Sequence, residues 1–442
     1  MKQQQSKLLN LGFLCCLLAL ADVSTASGAE PATAATTAAP ATAANRDSKP
    51  IENTDIRRIL QAMQDADAPM LIQLYQSASD PIVHIWAAMA LERVHFNLDA
   101  ATTDASLCEK ALLDSHPGIA LLCGQFQSGN LRLAGRQAEA DSYEKTLIER
   151  YQNHGVDRQL AGMQGYEDRQ TSLAKLAIDR PATDITLPLK DDKPSPTFDA
   201  KANGHAFELT LDSGASNLVL GEEDAHKFGV KLFDRPVGHV NGWLSQGVPA
   251  QHGLLEKLQI GAITLRNVPV TVVPRQIALL GANMIAPLGT LRVSHSSLLL
   301  YGNQSNAPAC DTPMLVGTDL WGNSLRILPQ LLVNDMPRSV MLDTGASRYL
   351  LGTKAALDEV TVLHRGKLAM GDIGGRHAFA NAESAKVRLT IAGQPIEMYF
   401  AVYTDSDSPH GITLGAGALR DMDFLLDFQH QHMCLLLHPD LH

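Results

Sequence analysis

Leu211-Asp212-Ser213-Gly214-Ala215-Ser216 returns later in the chain as Leu342-Asp343-Thr344-Gly345-Ala346-Ser347. The aliphatic runs Leu218-Val219-Leu220-Gly221 and Tyr349-Leu350-Leu351-Gly352 follow the respective copies. At average residue usage either motif arises by chance on the order of once per million positions. Two copies about 130 residues apart therefore point to an internal duplication. An aspartate offered twice, each time ahead of a hydroxyl residue and a glycine, suggests two carboxylates brought together at a pseudo-two-fold axis.

The duplication extends beyond the motif. In the first half an aliphatic element, Leu279-Leu280-Gly281-Ala282-Asn283-Met284-Ile285, follows, and Thr413-Leu414-Gly415-Ala416-Gly417-Ala418-Leu419 stands at the matching place in the second. Each begins about 70 residues after its Asp, as one repeated fold requires. Strand-like runs Ser297-Leu298-Leu299-Leu300-Tyr301 and Met433-Cys434-Leu435-Leu436-Leu437 come next. After Pro181 the chain consists of short alternating or β-branched runs, such as Phe207-Glu208-Leu209-Thr210-Leu211 and Val268-Pro269-Val270-Thr271-Val272-Val273, separated by Gly, Pro and Asn. This half of the chain reads as all-β. The polar, turn-rich stretch Asn303 to Pro308 divides it, giving a first lobe over 181–305 and a second over 306–442.

From about residue 183 onward the sequence resembles the aspartic proteases, in particular the retropepsin-like branch with its Asp-Thr-Gly-Ala signature. In retroviral enzymes two identical subunits each give one Asp; here both halves lie in one polypeptide, as in the pepsin-like enzymes. The resemblance implies a two-lobed acid-protease fold and an aspartic endopeptidase in which Asp212 and Asp343 are the catalytic pair. Two carboxylates held close together cannot both ionise, so one keeps a proton while the other stays charged. The charged one draws a proton from a water between them, and the protonated one donates to the scissile carbonyl. Neither step calls for a cofactor, and no metal site is expected. Gly214 and Gly345 let the two backbones approach closely, and the resemblance implies that Ser213 and Thr344 exchange hydrogen bonds across the axis. Ala215 and Ala346 match the retroviral pattern, whereas pepsin-like enzymes often carry a hydroxyl there. The family also covers its cleft with flaps. The candidates are the turns with Gly242 and Trp243 in the first half and with Gly374 and Gly375 in the second, an ordinary hairpin turn being the alternative for each.

The N-terminal part has a different character. Lys2 and Lys7 precede an apolar stretch, Leu8 to Ala21, that is short for a bilayer span and is followed by small residues, so residues 1–29 read as a secretory signal, with an uncleaved anchor as the alternative. Residues 30–50, dominated by Ala, Thr and Pro, read as a linker. Over 51–180, Ile59-Leu60, Met63, Met70-Leu71 and Leu74 recur at three- and four-residue steps, predicting an α-helical domain, either tetratricopeptide-like hairpins or a plain bundle. Such a domain is a candidate surface for a protein partner. It could recruit a substrate, gate the cleft or inhibit the enzyme. The expected architecture is thus multidomain, α-helical first and all-β afterwards.

Export makes the cysteines informative. Four remain after the signal, and the expected pairs are Cys108 with Cys123 and Cys310 with Cys434, since each then stays within a domain. A periplasmic or secreted location follows from the same reading. The net charge of −11, with no Lys/Arg-rich stretch, argues against nucleic acid or an anionic membrane surface as partner. No glycine-rich phosphate loop and no nucleophile elbow is present. His430, His432 and Cys434 alternate along a strand-like run, but without a fourth ligand a strand face is the better reading. The competing functional class is a catalytically silent, protease-like scaffold that uses the cleft and helices to hold a partner.

Overall fold

A computed structural model describes residues 54–167, 175–233, 238–242, 245–302, 307–353, 362–371, 373, 377–403 and 411–439. The expected signal and linker, residues 1–50, lie outside them.

Seven helices occupy the N-terminal part of the described residues: Thr54–Gln64, Ala68–Ser77, Pro81–Val94, Leu98–Leu112, Pro117–Leu133, Gln137–Tyr151 and Asp157–Glu167. Their ends follow the local chemistry. Asp67 accepts a hydrogen bond from the Met70 N–H at 3.0 Å and Asp80 one from the Ile82 N–H at 2.8 Å, each just before a proline in the first turn. The periodic apolar residues Ile59, Met63, Leu71 and Leu74 face a core shared with Trp86, Phe126, Leu147 and Tyr151. Leu328 and Met341 of the second β lobe belong to the same core. The helices are therefore fused to that lobe by packed apolar side chains.

Both β lobes repeat one topology. In the first, strand His205–Asp212 runs parallel to Ala278–Gly281, pairing Leu211 with Leu280 and Asp212 with Gly281. Ala278–Gly281 also pairs antiparallel with Leu218–Gly221, the strand that follows the motif. In the second, Met341–Asp343 runs parallel to Ile412–Gly415, pairing Leu342 with Leu414 and Asp343 with Gly415, and Leu350–Thr353 is again the antiparallel neighbour. Each aliphatic-Gly element thus passes directly beneath its motif loop. A side chain could not fit there: a Cβ on Gly281 would lie 2.5 Å from the Asn217 nitrogen, and one on Gly415 2.5 Å from the Ala346 oxygen.

The lobes join through a third sheet. Ile185–Pro188, Ser297–Leu300 and Thr290–Val293 from the first continue into Met422–Asp427 and His432–Leu437 from the second, with Thr290 opposite Asp427 at the seam. The Arg292 guanidinium forms an ion pair with the buried Asp423 across this seam. Strand Ala177–Asp179 falls within the span read from sequence as helical, yet it pairs with Ile263–Val273 of the first lobe. Three residues carry too little periodicity to mark a strand; the long partner hairpin supplies the pairing edge.

Candidate active site

Asp212 and Asp343 end equivalent strands and enter equivalent turns. Asp212 Oδ1 accepts from the Gly214 N–H at 2.9 Å and the Ala215 N–H at 3.0 Å. Asp343 Oδ1 accepts from the Gly345 N–H at 2.9 Å and the Ala346 N–H at 3.1 Å. These bonds fix one oxygen of each carboxylate and turn both toward the axis. A Cβ built on Gly214 would sit 2.5 Å from Asp343 Oδ1, and one on Gly345 2.6 Å from Asp212 Oδ1. Each glycine therefore makes room for the opposite carboxylate.

The hydroxyl residues knit the two turns together. The Ser213 N–H donates to Thr344 Oγ1 at 3.0 Å, while Thr344 Oγ1 donates to the Leu211 carbonyl at 2.6 Å. The mirror pair runs from the Thr344 N–H to Ser213 Oγ at 3.0 Å and from Ser213 Oγ to the Leu342 carbonyl at 2.7 Å. Four cross-lobe hydrogen bonds thus hold the two motifs in register, all made by buried groups. Burial, followed by the charge of Asp343, pushes the Asp212 carboxyl well above the ordinary carboxylate range, and burial raises Asp343 as well. Both shifts run toward holding a proton, with burial the larger cause in each.

This geometry has a match in sequence. Residues 198–284 fit a family model described as aspartyl protease. The matched stretch lies in the first lobe, whose strand pairing the second lobe repeats around Asp343.

An uncharacterised protein of Sinorhizobium sp, from the 5′ region of cobV, is 32% identical over 108 residues. That stretch is 23% of this chain and 45% of the relative, so the chain spans somewhat under half of the curated relative it matches. Among solved structures, a retropepsin-like aspartic protease from Rickettsia conorii aligns at 21% identity over 28% of this chain and 90% of its own, with a TM-score of 0.21. An aspartic proteinase from Irpex lacteus aligns at 11% identity over 58% of this chain and 98% of its own, with a TM-score of 0.36.

Around the two aspartates stand two hairpins. In the first, Gly238–Val240 pairs with the start of Val248–Ile260. Its turn is tied by the Gly242 N–H to the Ser245 carbonyl (2.8 Å) and by the Gly247 N–H to Asn241 Oδ1 (2.9 Å). Trp243 lies outside the described residues. In the second, Val362–Gly371 pairs with His377–Ile391. Gly374 and Gly375 likewise fall outside the described residues. Ile373, between those two strands, packs against the buried Val219, Ala250 and Val273 of the first lobe, as do Val240, Ile277 and Leu279. The turn from the second lobe thus reaches the first lobe.

Cys108 is bonded to Cys123 within the helical domain, and Cys310 to Cys434 within the second lobe. His430 lies in the turn ahead of strand His432–Leu437, with Nδ1 2.8 Å from Asp427 Oδ2. With Cys434 in a disulfide, these residues do not form a ligand set. Among the described residues no group of three His, Cys, Asp or Glu is placed to hold a metal.

Arg326 is the site residue that sequence reasoning missed. It lies between Leu325 and Ile327 on strand Leu325–Ile327, and its Nη1 donates to Ser216 Oγ of the opposite motif at 2.9 Å and to the Leu325 carbonyl at 2.9 Å. Its charge acts on Asp212 and Asp343, holding both below where burial alone would put them. A lone arginine inside a short apolar run just before the second motif was the available signal.

Proposed function

We propose that this protein is an aspartic endopeptidase that hydrolyses extended peptides with a water activated between Asp212 and Asp343. The observation that carries the reading is the pair of buried carboxylates, one from each lobe, each fitted over the other lobe's motif glycine and each raised above the ordinary carboxylate range by burial. The charged member takes a proton from the water as it attacks the peptide carbonyl, and the protonated member donates to the developing oxyanion. The substrate lies between the two hairpins as an added extended strand, with main-chain hydrogen bonds giving affinity and side-chain pockets giving preference. The leader-like N-terminus and the two disulfides support an exported, periplasmic or secreted enzyme.

The test is incubation of purified protein with a mixed peptide library between acidic and neutral pH, alongside Asp212→Asn and Asp343→Asn. Cleavage by the wild type that vanishes in both variants supports the reading. Full cleavage in either variant refutes the shared-carboxylate mechanism. Peptide retention without turnover points instead to a binding protein on a protease scaffold.

A further inference from the structure

Beyond their shared apolar core, the helical domain and the second lobe meet at a short loop close to the two aspartates. Residues 319–323, between strands Val316–Thr318 and Leu325–Ile327, are gripped from two sides. From the helices, fully buried Arg93 donates through Nη1 to the Asp319 carbonyl at 3.0 Å and the Leu320 carbonyl at 3.2 Å. The guanidinium lies 3.5 Å from the centre of the Phe126 ring and donates through Nε to Asn130 Oδ1 at 2.6 Å. Arg132 Nη1 donates to the Trp321 carbonyl at 3.2 Å. Backbone meets backbone as well: a Cβ on Gly129 would fall 3.0 Å from the Trp321 carbonyl carbon and nearer still to the Leu320 oxygen. From the first lobe, Asn283 Nδ2 donates to the Gly322 carbonyl at 3.3 Å and the Asn323 carbonyl at 3.2 Å. The Asn283 N–H itself donates to the Ser216 carbonyl at 2.8 Å.

Three residues beyond this loop stands Arg326, on Ser216 and within charge reach of Asp212 and Asp343. Asp319 is within charge reach of Arg326 on one side and of Arg93 and Arg132 on the other. Charges of alternating sign therefore lead from the catalytic pair to the helices: carboxylates, Arg326, Asp319, Arg93. A guanidinium buried at such a junction is costly unless its donors are used, and Arg93 divides them between the loop's carbonyls, through Nη1, and Asn130 and the Phe126 carbonyl of the helices.

From this we infer that the helical domain is a permanent brace of the active site, in which Arg93 and the bare backbone of Gly129 are positioning residues that hold the 319–323 loop and, through it, Arg326 against the two aspartates. The inference deepens the endopeptidase reading and rests on it for its kinetic consequences. It runs against a removable inhibitory segment: losing the helices would release the loop that seats Arg326.

Hydrogen–deuterium exchange on the full chain tests the brace without requiring turnover. Gly129→Ala improves helix propensity while forcing the loop away; Arg93→Lys keeps the charge but loses the fork that serves several carbonyls. In both variants, segments spanning 319–328 and 211–216 should exchange at least tenfold faster than in wild type, with the seam strands Met422–Asp427 and His432–Leu437 unmoved. Release of 319–328 with 211–216 unchanged would overturn the inference. So would unchanged exchange in both segments, or melted helices beside unaltered motif turns. In peptide hydrolysis, both variants should lose at least tenfold in kcat with KM within twofold, and their pH profiles should move to higher pH, as with Arg326→Gln. A loss caused only by fewer folded molecules would leave the pH profile in place. A wild type that cleaves nothing defeats the endopeptidase reading, and exchange alone then decides the brace.

Discussion

Thr344→Ala isolates the cross-lobe hydrogen bonds from the carboxylates they serve. Thr344 is 1% exposed, and its hydroxyl both donates to the Leu211 carbonyl at 2.6 Å and accepts from the Ser213 N–H at 3.0 Å. The substitution removes two hydrogen bonds of about 1 kcal/mol each and strips the buried Ser213 N–H of this partner, a further cost of about 1–3 kcal/mol. The lost methyl adds about 0.8 kcal/mol, so the expected destabilisation is about 4–6 kcal/mol. For a region of this size about 2–4 °C of Tm is lost per kcal/mol, placing the drop at about 8–24 °C by scanning calorimetry. Thr344→Ser is the control, because Ser213 performs the same exchange from the other lobe with a serine hydroxyl. It should lose only the methyl contribution, about 1 kcal/mol. Peptide hydrolysis should follow the same order, since displacement of a reacting group by about 1 Å can cost about a hundredfold in rate. Equal melting temperatures for the Ala and Ser variants, or a Thr344→Ala protein with wild-type stability and activity, would refute the reasoning.

Further expectations concern charge. Asp212→Asn and Asp343→Asn should be more stable than wild type at neutral pH, because each removes one member of a buried pair whose carboxyls burial raises above the ordinary range. A carboxyl whose folded pKa is raised binds more protons folded than unfolded, so wild-type stability falls as pH rises from the ordinary carboxylate range toward the folded pKa. Each unit of elevation is worth about 1.4 kcal/mol; urea melts across that window should show the slope in wild type and a flatter one in the variants, and parallel slopes would count against a protonated pair. Arg326→Gln should shift the whole pH–activity profile toward higher pH, since removing a cation raises the pKa of both carboxyls; a profile that stays in place or moves to lower pH would deny Arg326 its electrostatic role.

The pair of aspartates was legible in sequence because its motif is local and was written twice. Asp, a hydroxyl residue and Gly stand side by side, and a duplicated spacing turns a common turn motif into a statement about an axis. The aliphatic-Gly elements were legible for the same reason, although their role in passing beneath the motif turns needed the parallel pairing of Gly281 with Asp212 and of Gly415 with Asp343. What stayed hidden depends on partners far away in the chain. Arg326 meets Ser216 across 110 residues, and Arg93 meets Asp319 across 226. In a sequence both arginines look like ordinary polar faces of a strand and a helix. Helix Pro81–Val94 is buried on most of its circumference, since it packs on other helices and faces the 319–323 loop as well. Its apolar pattern therefore points to no single side.

The asymmetry of Arg326 has a meaning that the duplication alone does not supply. Ser195 occupies the position in the first lobe that Arg326 holds in the second, at the same chain separation that relates Asp212 to Asp343. Each reaches the opposite motif: Ser195 Oγ donates to the Gly345 carbonyl at 2.9 Å, and Arg326 Nη1 donates to Ser216 Oγ at 2.9 Å. The fold thus provides two equivalent posts beside the axis, and this chain fills one with a neutral hydroxyl and the other with a cation. Two identical subunits would carry the same residue at both posts and surround both carboxylates alike. One polypeptide with unlike halves can place positive charge on one side only, so the two carboxylates need not share their proton equally. The helical domain packs on the side that bears the cation, through the loop three residues before Arg326. Charge asymmetry at the axis and the helices' grip on the 319–323 loop therefore coincide, and the brace acts where the two carboxylates become chemically distinct.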